Sequence, residues 1–214
     1  MLHSKEGAEA LAVIKSVTKE TDNRFVNLYI ADGVNSKGHH SRYNVASRAK
    51  NIEELKITTH KDTPDGVIIY ALYGPEHDRV VLVHQYRYPI DGWIYELPAG
   101  LVESGENIHE AAVREMHEET GLVFHPIHAD PMFETPRYTT VGMTDEAVAA
   151  VYGYAEGEIS EAYEEEAEEI KIVVADRKEA ERILREERCA VQMSYQLMHF
   201  IHDEDPFAFL RVGG

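Results

Sequence analysis

Three glutamates in the stretch GLVESGENIHEAAVREMHEETGL, Gly100 to Leu122, have a spacing that could do chemistry. Glu115, Glu118 and Glu119 stand at i, i+3 and i+4. On a helix this places their side chains on one face. Like charges so placed repel by about a few tenths of a kcal/mol per pair in an isolated helix, so a counter-ion is expected. Converging carboxylates are hard oxygen ligands, of the kind that Mg²⁺ or Mn²⁺ takes. Arg114 precedes Glu115 and is i, i+4 from Glu110, a position from which it can brace carboxylates through a bidentate contact. The preceding PAGLVESGE carries two glycines and can bring a backbone carbonyl towards the same cation. The plainer alternative is an acidic helix face that only meets water.

The chemistry requires a helix with fixed ends. Asn107 reads as its N-cap with Glu110 three residues on, and Gly121 as its C′ residue. Ile108, Ala111, Ala112 and Met116 then form the buried stripe. Upstream, the β-branched runs GVIIYALYG and RVVLVHQYRY are separated by PEHD and predict a hairpin, and GWIYELPAG predicts a third strand leading into the glutamate stretch. Downstream, EAVAAVYGYAEG reads as a buried strand and the acidic run SEAYEEEAEEI leads into a strand, IKIVVA. Two helices follow, DRKEAERILREE and AVQMSYQLMHFIH, the second apolar enough to pack on a sheet or a partner chain. Before them, RFVNLYIADG, HSRYNVASRA and EELKITTHKD alternate as strands do. The expected class is α/β, a mixed sheet sandwiched between helices, in residues 63–214. A small antiparallel β appendage occupies residues 1–62.

Composition narrows the function classes. The 214 residues suit one substantial domain with a smaller appendage. A net charge of −18 disfavours nucleic acid and anionic lipid as partners, and an anionic substrate would need local arginines or bound metal. The single cysteine, Cys189, excludes an internal disulfide, fits a reducing cytosol, and reads as a small apolar residue rather than a nucleophile. No apolar run reaches the roughly 18 residues of a membrane span, and the charged start MLHSKEGAEALAVIKSV does not read as a secretory signal. A cytoplasmic protein is expected.

From Gly100 the sequence fits G-x5-E-x7-R-E-U-x-E-E-x-G-U, with U apolar, at every specified position. This resembles the box of the Nudix hydrolase superfamily. The likeness implies hydrolysis of a nucleoside diphosphate linked to a group X, with Mg²⁺ (or Mn²⁺) bridging the pyrophosphate. It carries over Glu115, Glu118 and Glu119 as metal ligands, with the carbonyl of Ala99 as a backbone ligand. Glu115 and Glu119 thereby also belong to the catalytic set, while Glu106 and Arg114 shape the loop and helix. The flanking QYRYPIDGWIYELPAG resembles the ADP-ribose and nucleoside-diphosphate-sugar pyrophosphatase branch. There Arg87 contacts a substrate phosphate or the terminal ribose, and Glu96 supports the metal site or lines the pocket. Aligning EEIKI with that branch puts the catalytic base at Glu166, among Glu164 to Glu168, and a further metal ligand at Glu168.

The same resemblance implies a homodimer that exchanges its N-terminal sheet, with Arg48, Phe25, Tyr29 and Tyr43 as candidates to clasp the base. The sequence departs from the branch at ETPRYTTVGMTDE, where Val141 replaces an expected proline. GMTDE still matches and makes Glu146 a candidate for positioning substrate or water. The lone tryptophan, Trp93, lies in the strand before the box, so no second one is available to stack on adenine. The expected reaction takes ADP-ribose to AMP and ribose 5-phosphate. UDP- or GDP-sugar hydrolysis, and a ligand-sensing domain that binds without cleaving, are the alternatives.

Overall fold

A computed structural model of the chain describes residues 12–160 and 169–211. In order, its elements are β1 (Val13–Lys19), β2 (Asn27–Val34), β3 (His40–Ser47), α1 (Lys56–Thr59), β4 (Gly66–Tyr73), β5 (Arg79–Arg87), β6 (Gly92–Glu96), β7 (Ala99–Leu101), α2 (Ile108–Thr120), β8 (Val123–Ile127), α3 (Pro131–Glu134), β9 (Arg137–Tyr138), β10 (Ala147–Glu156), β11 (Ile170–Ala175), α4 (Arg177–Glu186) and α5 (Val191–His202). They fall into two compact units, Met1–Thr63 with Tyr138–Ala147, and Pro64–Arg137 with Val148–Gly214.

The first unit holds an antiparallel sheet in the order β1-β2-β3. Its strand β2 alternates between buried and more exposed positions, which puts Tyr29 and Ala31 inside. Of EELKITTHKD, expected to be a strand, Glu53 and Glu54 lie in a 3-10 turn and Lys56–Thr59 in a short helix. The Asn51 side chain accepts from the Glu54 amide and caps a 3-10 turn over Ile52–Glu54, and α1 follows directly. Tyr138–Ala147 belongs with this unit: the Tyr43 hydroxyl donates to the Gly142 carbonyl at 2.7 Å and the Lys56 ammonium to the Asp145 carbonyl at 2.9 Å.

In the second unit β4 is apolar along its whole length because both of its faces are covered. Val67, Ile69 and Ala71 point to one side, where they meet Ala111, Ala112 and Met116 of α2. Tyr70 and Leu72 point to the other, where they meet Ile183 of α4 and Met193, Leu197 and Phe200 of α5. The sheet runs β11-β5-β4-β10-β8, with β6 added to β5 and β7 to β4. β10 lies parallel to β4, whereas β5, β7, β8 and β11 pair antiparallel, so this is the expected mixed sheet between helices. GWIYELPAG gives two strands rather than one. β6 pairs with β5 and β7 with β4, the change of partner falling at Leu97-Pro98, where proline has no amide to donate.

Candidate active site

The site is built where α2 crosses β7. The helix start is fixed by a capping box. Asn107 Oδ1 accepts from the His109 and Glu110 amides at 3.0 and 3.1 Å, and Glu110 Oε2 accepts from the Asn107 amide at 3.0 Å. Glu110 is therefore engaged at the helix start, not with Arg114 as its i, i+4 spacing suggested. Gly121, at φ 73°, closes the other end in the left-handed conformation. Of the expected stripe, Ala111, Ala112 and Met116 are buried and Ile108 is partly so.

Arg114 is the hub. Its Nε and Nη2 donate to the two oxygens of Glu106 at 3.0 and 2.9 Å, and Nη2 also donates to the Leu101 carbonyl at 2.9 Å. Its Nη1 donates to Glu115 Oε1 at 2.8 Å and to Glu118 Oε2 at 2.9 Å. One guanidinium thus ties the loop, the strand and two helix carboxylates together. The hydrogen bonds from Arg114 hold the Glu106 carboxyl below the usual carboxylate range, helped by the Glu103 amide, and Glu106 in turn raises the Arg114 pKa.

The remaining contacts are close-range. A Cβ on Gly100 would lie 1.8 Å from the Glu115 carboxyl carbon, so the box begins with glycine because a carboxylate rests on its backbone. Glu119, 7% exposed, accepts from the Ala99 amide at 3.2 Å. Residues 114, 115 and 119 of the helix therefore meet three successive residues of β7. The residues expected as ligands, Glu115, Glu118, Glu119 and the Ala99 carbonyl, would offer oxygen donors only, the chemistry a hard divalent cation takes. Among the described residues no three His, Cys, Asp or Glu side chains already stand grouped as metal ligands. Glu115 and Glu118 each meet Arg114 through one carboxylate oxygen, and Glu119 meets the Ala99 amide through one.

Two further pairs join residues singled out separately in the sequence. Arg87 donates through Nε and Nη2 to Glu96 at 3.2 and 2.6 Å, a bidentate pair between β5 and β6. In the first unit Arg48 Nη2 lies 3.3 Å from Glu146 Oε1, and Thr139 donates its hydroxyl to the other oxygen at 3.0 Å. Of the aromatic clasp candidates, Phe25 and Tyr43 are exposed. Tyr29 is fully buried and donates to the Ala49 carbonyl at 2.7 Å, which makes it a core residue instead. Trp93 lies in β6, tilted against His84 and with the Lys171 ammonium 4.3 Å from its ring centroid. Burial raises the Cys189 thiol pKa, which opposes a nucleophilic role.

A family model described as NUDIX domain matches residues 62–190. The chain belongs to the Nudix family. The Nudix chain is 40% identical over 67 residues to an ADP-ribose pyrophosphatase of Saccharomyces cerevisiae, covering 31% of this chain and 29% of that protein. To an ADP-ribose pyrophosphatase of Bacillus subtilis it is 26% identical over 136 residues, 63% of this chain and 62% of that protein. It thus spans less than two thirds of the length of these curated relatives. The crystal structure of an ADP compounds hydrolase superposes with a TM-score of 0.60 at 16% identity, over 85% of this chain and 86% of that chain, a likeness of fold. The Nudix box proper, Gly100–Leu122, lies wholly in the described residues, whereas Glu166 and Glu168 lie outside them. Sequence reasoning identified the box residues but missed that Gly100 is the seat of Glu115. The only signal for it was the glycine's fixed place in the motif.

Proposed function

We propose that this Nudix domain hydrolyses the pyrophosphate of a nucleoside diphosphate linked to X, with ADP-ribose as substrate and AMP and ribose 5-phosphate as products. The observation that carries this reading is the intact carboxylate cluster of the box, Glu106, Glu115 and Glu118 bonded to Arg114 and Glu119 to the Ala99 amide. The choice of ADP-ribose is supported by the two relatives named ADP-ribose pyrophosphatase.

Nudix hydrolases generally use divalent cations, and we assign Mg²⁺ here. Glu115, Glu118, Glu119 and the Ala99 carbonyl would hold it, with Glu168 as a further ligand. Bound there, the cation would neutralise charge on the pyrophosphate oxygens and polarise phosphorus towards attack. Arg114 limits the rotamers of Glu115 and Glu118, and the Ala99 amide does the same for Glu119. Arg87, aimed by Glu96, offers a guanidinium to a phosphate or to the terminal ribose. Glu166 accepts the proton of the attacking water, whose oxygen bonds to one phosphorus as the bridging P–O bond breaks. Two monophosphates leave.

The partner in this reading is a second copy that exchanges its N-terminal sheet, bringing Arg48 and Glu146 to the substrate. Its support is the apolar surface of the small sheet, where Val13, Ile14, Leu28 and Tyr43 are all exposed. The lone cysteine supports a cytosolic setting.

The test is phosphate release by an added phosphatase from the products of ADP-ribose, UDP-sugars and GDP-sugars incubated with the full chain and Mg²⁺. ADP-ribose is expected to give the highest kcat/KM. No turnover of it would overturn the substrate, and full activity of Glu119→Gln would overturn the assignment of the metal site.

A further inference from the structure

The turn joining β4 to β5, together with parts of β8 and β10, surrounds a cavity of about 440 Å³ that shares no lining residue with the carboxylate cluster. Tyr73, on its wall, lies five residues beyond Ile68, the pairing partner of Ala99. At strand rise this is about 17 Å along β4 from the β7 pairing.

The wall is aromatic and imidazole in character. His77 stacks on Tyr154 with ring centroids 4.0 Å apart and planes at 27°. Tyr73 donates its hydroxyl hydrogen to the Gly157 carbonyl at 2.8 Å, and His125 Nε2 pairs with Glu156 Oε1 at 2.9 Å. His77 reaches its position from left-handed backbone, φ 51°, in a turn that also places Gly74 at φ 89°. A side chain kept in that conformation where glycine would be unstrained points to a use for the side chain.

Charge narrows the ligand class. Neither lysine nor arginine is among the described residues that line the cavity, and Glu156 lines it. Arg79 stands against Tyr73, 5.0 Å from the ring centroid, and faces Asp78 at 3.5 Å. The guanidinium that stands against this wall, Arg79 beside Tyr73 and Gly74, already faces Asp78, and Glu156 adds a negative charge, so the charge here does not favour a phosphate. A flat ring, by contrast, finds a stacking surface and polar groups at its edge.

We propose that this cavity binds a planar, phosphate-free nitrogen heterocycle, a nucleobase or nucleoside, stacked on the His77–Tyr154 pair with His125 and Glu156 at its edge. The site is independent of the proposed hydrolysis. The test is an NMR titration of the full chain, labelled on its histidine rings, with adenosine as the probe. The His77 and His125 ring signals are expected to shift and saturate. His77→Gly keeps a backbone that tolerates positive φ and removes the stacking ring. It is expected to weaken the effect at His125 by about tenfold, within the range for losing one base-stacking partner. Glu119→Gln should leave both shifts as they are, and His77→Gly should leave ADP-ribose hydrolysis unchanged. Ring signals that do not move, an unaltered titration in His77→Gly, or loss of the shifts in Glu119→Gln would each overturn the proposal.

Discussion

At Gly100 a residue without a side chain decides where a carboxylate can sit. Alanine there would push on the far end of the Glu115 side chain, which is flexible, so the fold should survive while the carboxylate is displaced. Gly100→Ala is expected to unfold within about 2 °C of the parent, because few contacts are lost, yet to lose about 100-fold in kcat. Calorimetry and the coupled assay check the two halves separately. Arg114→Ala acts differently, since it leaves Glu106, Glu115 and Glu118 facing one another without their shared cation. Urea unfolding should register a loss of about 1–3 kcal/mol. The Arg114–Glu106 contact also has a pH signature. A carboxylate held below its ordinary pKa stabilises the fold above its unfolded value and stops doing so as pH falls through the folded one. The stability gap between the parent and Glu106→Gln should therefore be full at pH 7 and shrink below about pH 4. An equal gap at both ends would show that Glu106 acts by packing alone.

The elements differ in how openly the sequence announced them. α2 was legible because its cap, stripe and C′ glycine are local signals, and each took the expected position. Asn107→Ala should cost about 1 kcal/mol and lower the melting temperature by about 2–4 °C. A larger fall would mean that the box loop unravels with the cap. β1 was not anticipated, since its positions are mostly exposed and show no clean alternation. β8 was missed for another reason: Pro126 breaks the pattern, and the strand is tolerated at the edge of the sheet. Segment 53–59 alternates like a strand, but the Asn51 cap outweighs the pattern. In each case a contact or a cap decided what the pattern alone left ambiguous.

Charge is unevenly shared over the whole molecule. The unit of Met1–Thr63 and Tyr138–Ala147 has ten basic and ten acidic residues, whereas Pro64–Arg137 with Val148–Gly214 has 11 and 29. The entire −18 therefore belongs to the unit that carries the Nudix box. Such a field repels a dianionic substrate, and its reach falls from about 30 Å to about 8 Å between 0.01 and 0.15 M salt. At fixed Mg²⁺, kcat/KM for ADP-ribose should rise over that range. A steady fall with salt would argue that local cations, not this field, control encounter. The neutral unit exposes Val13, Ile14, Leu28 and Tyr43 on its three strands, the surface on which the proposed pairing of two copies rests.

The sequence by itself determined the chemistry on offer. The Nudix box fixed which carboxylates share a helix face, and hydrophobic periodicity marked most of the strands and helices, because both depend on neighbours a few residues apart. Only the tertiary structure decided which groups those carboxylates meet. Glu106 is bonded by Arg114 eight residues on, Glu119 by an amide 20 residues back, and Glu115 rests on a glycine of β7. Such contacts arise where α2 packs across the sheet, and no local spacing encodes that crossing.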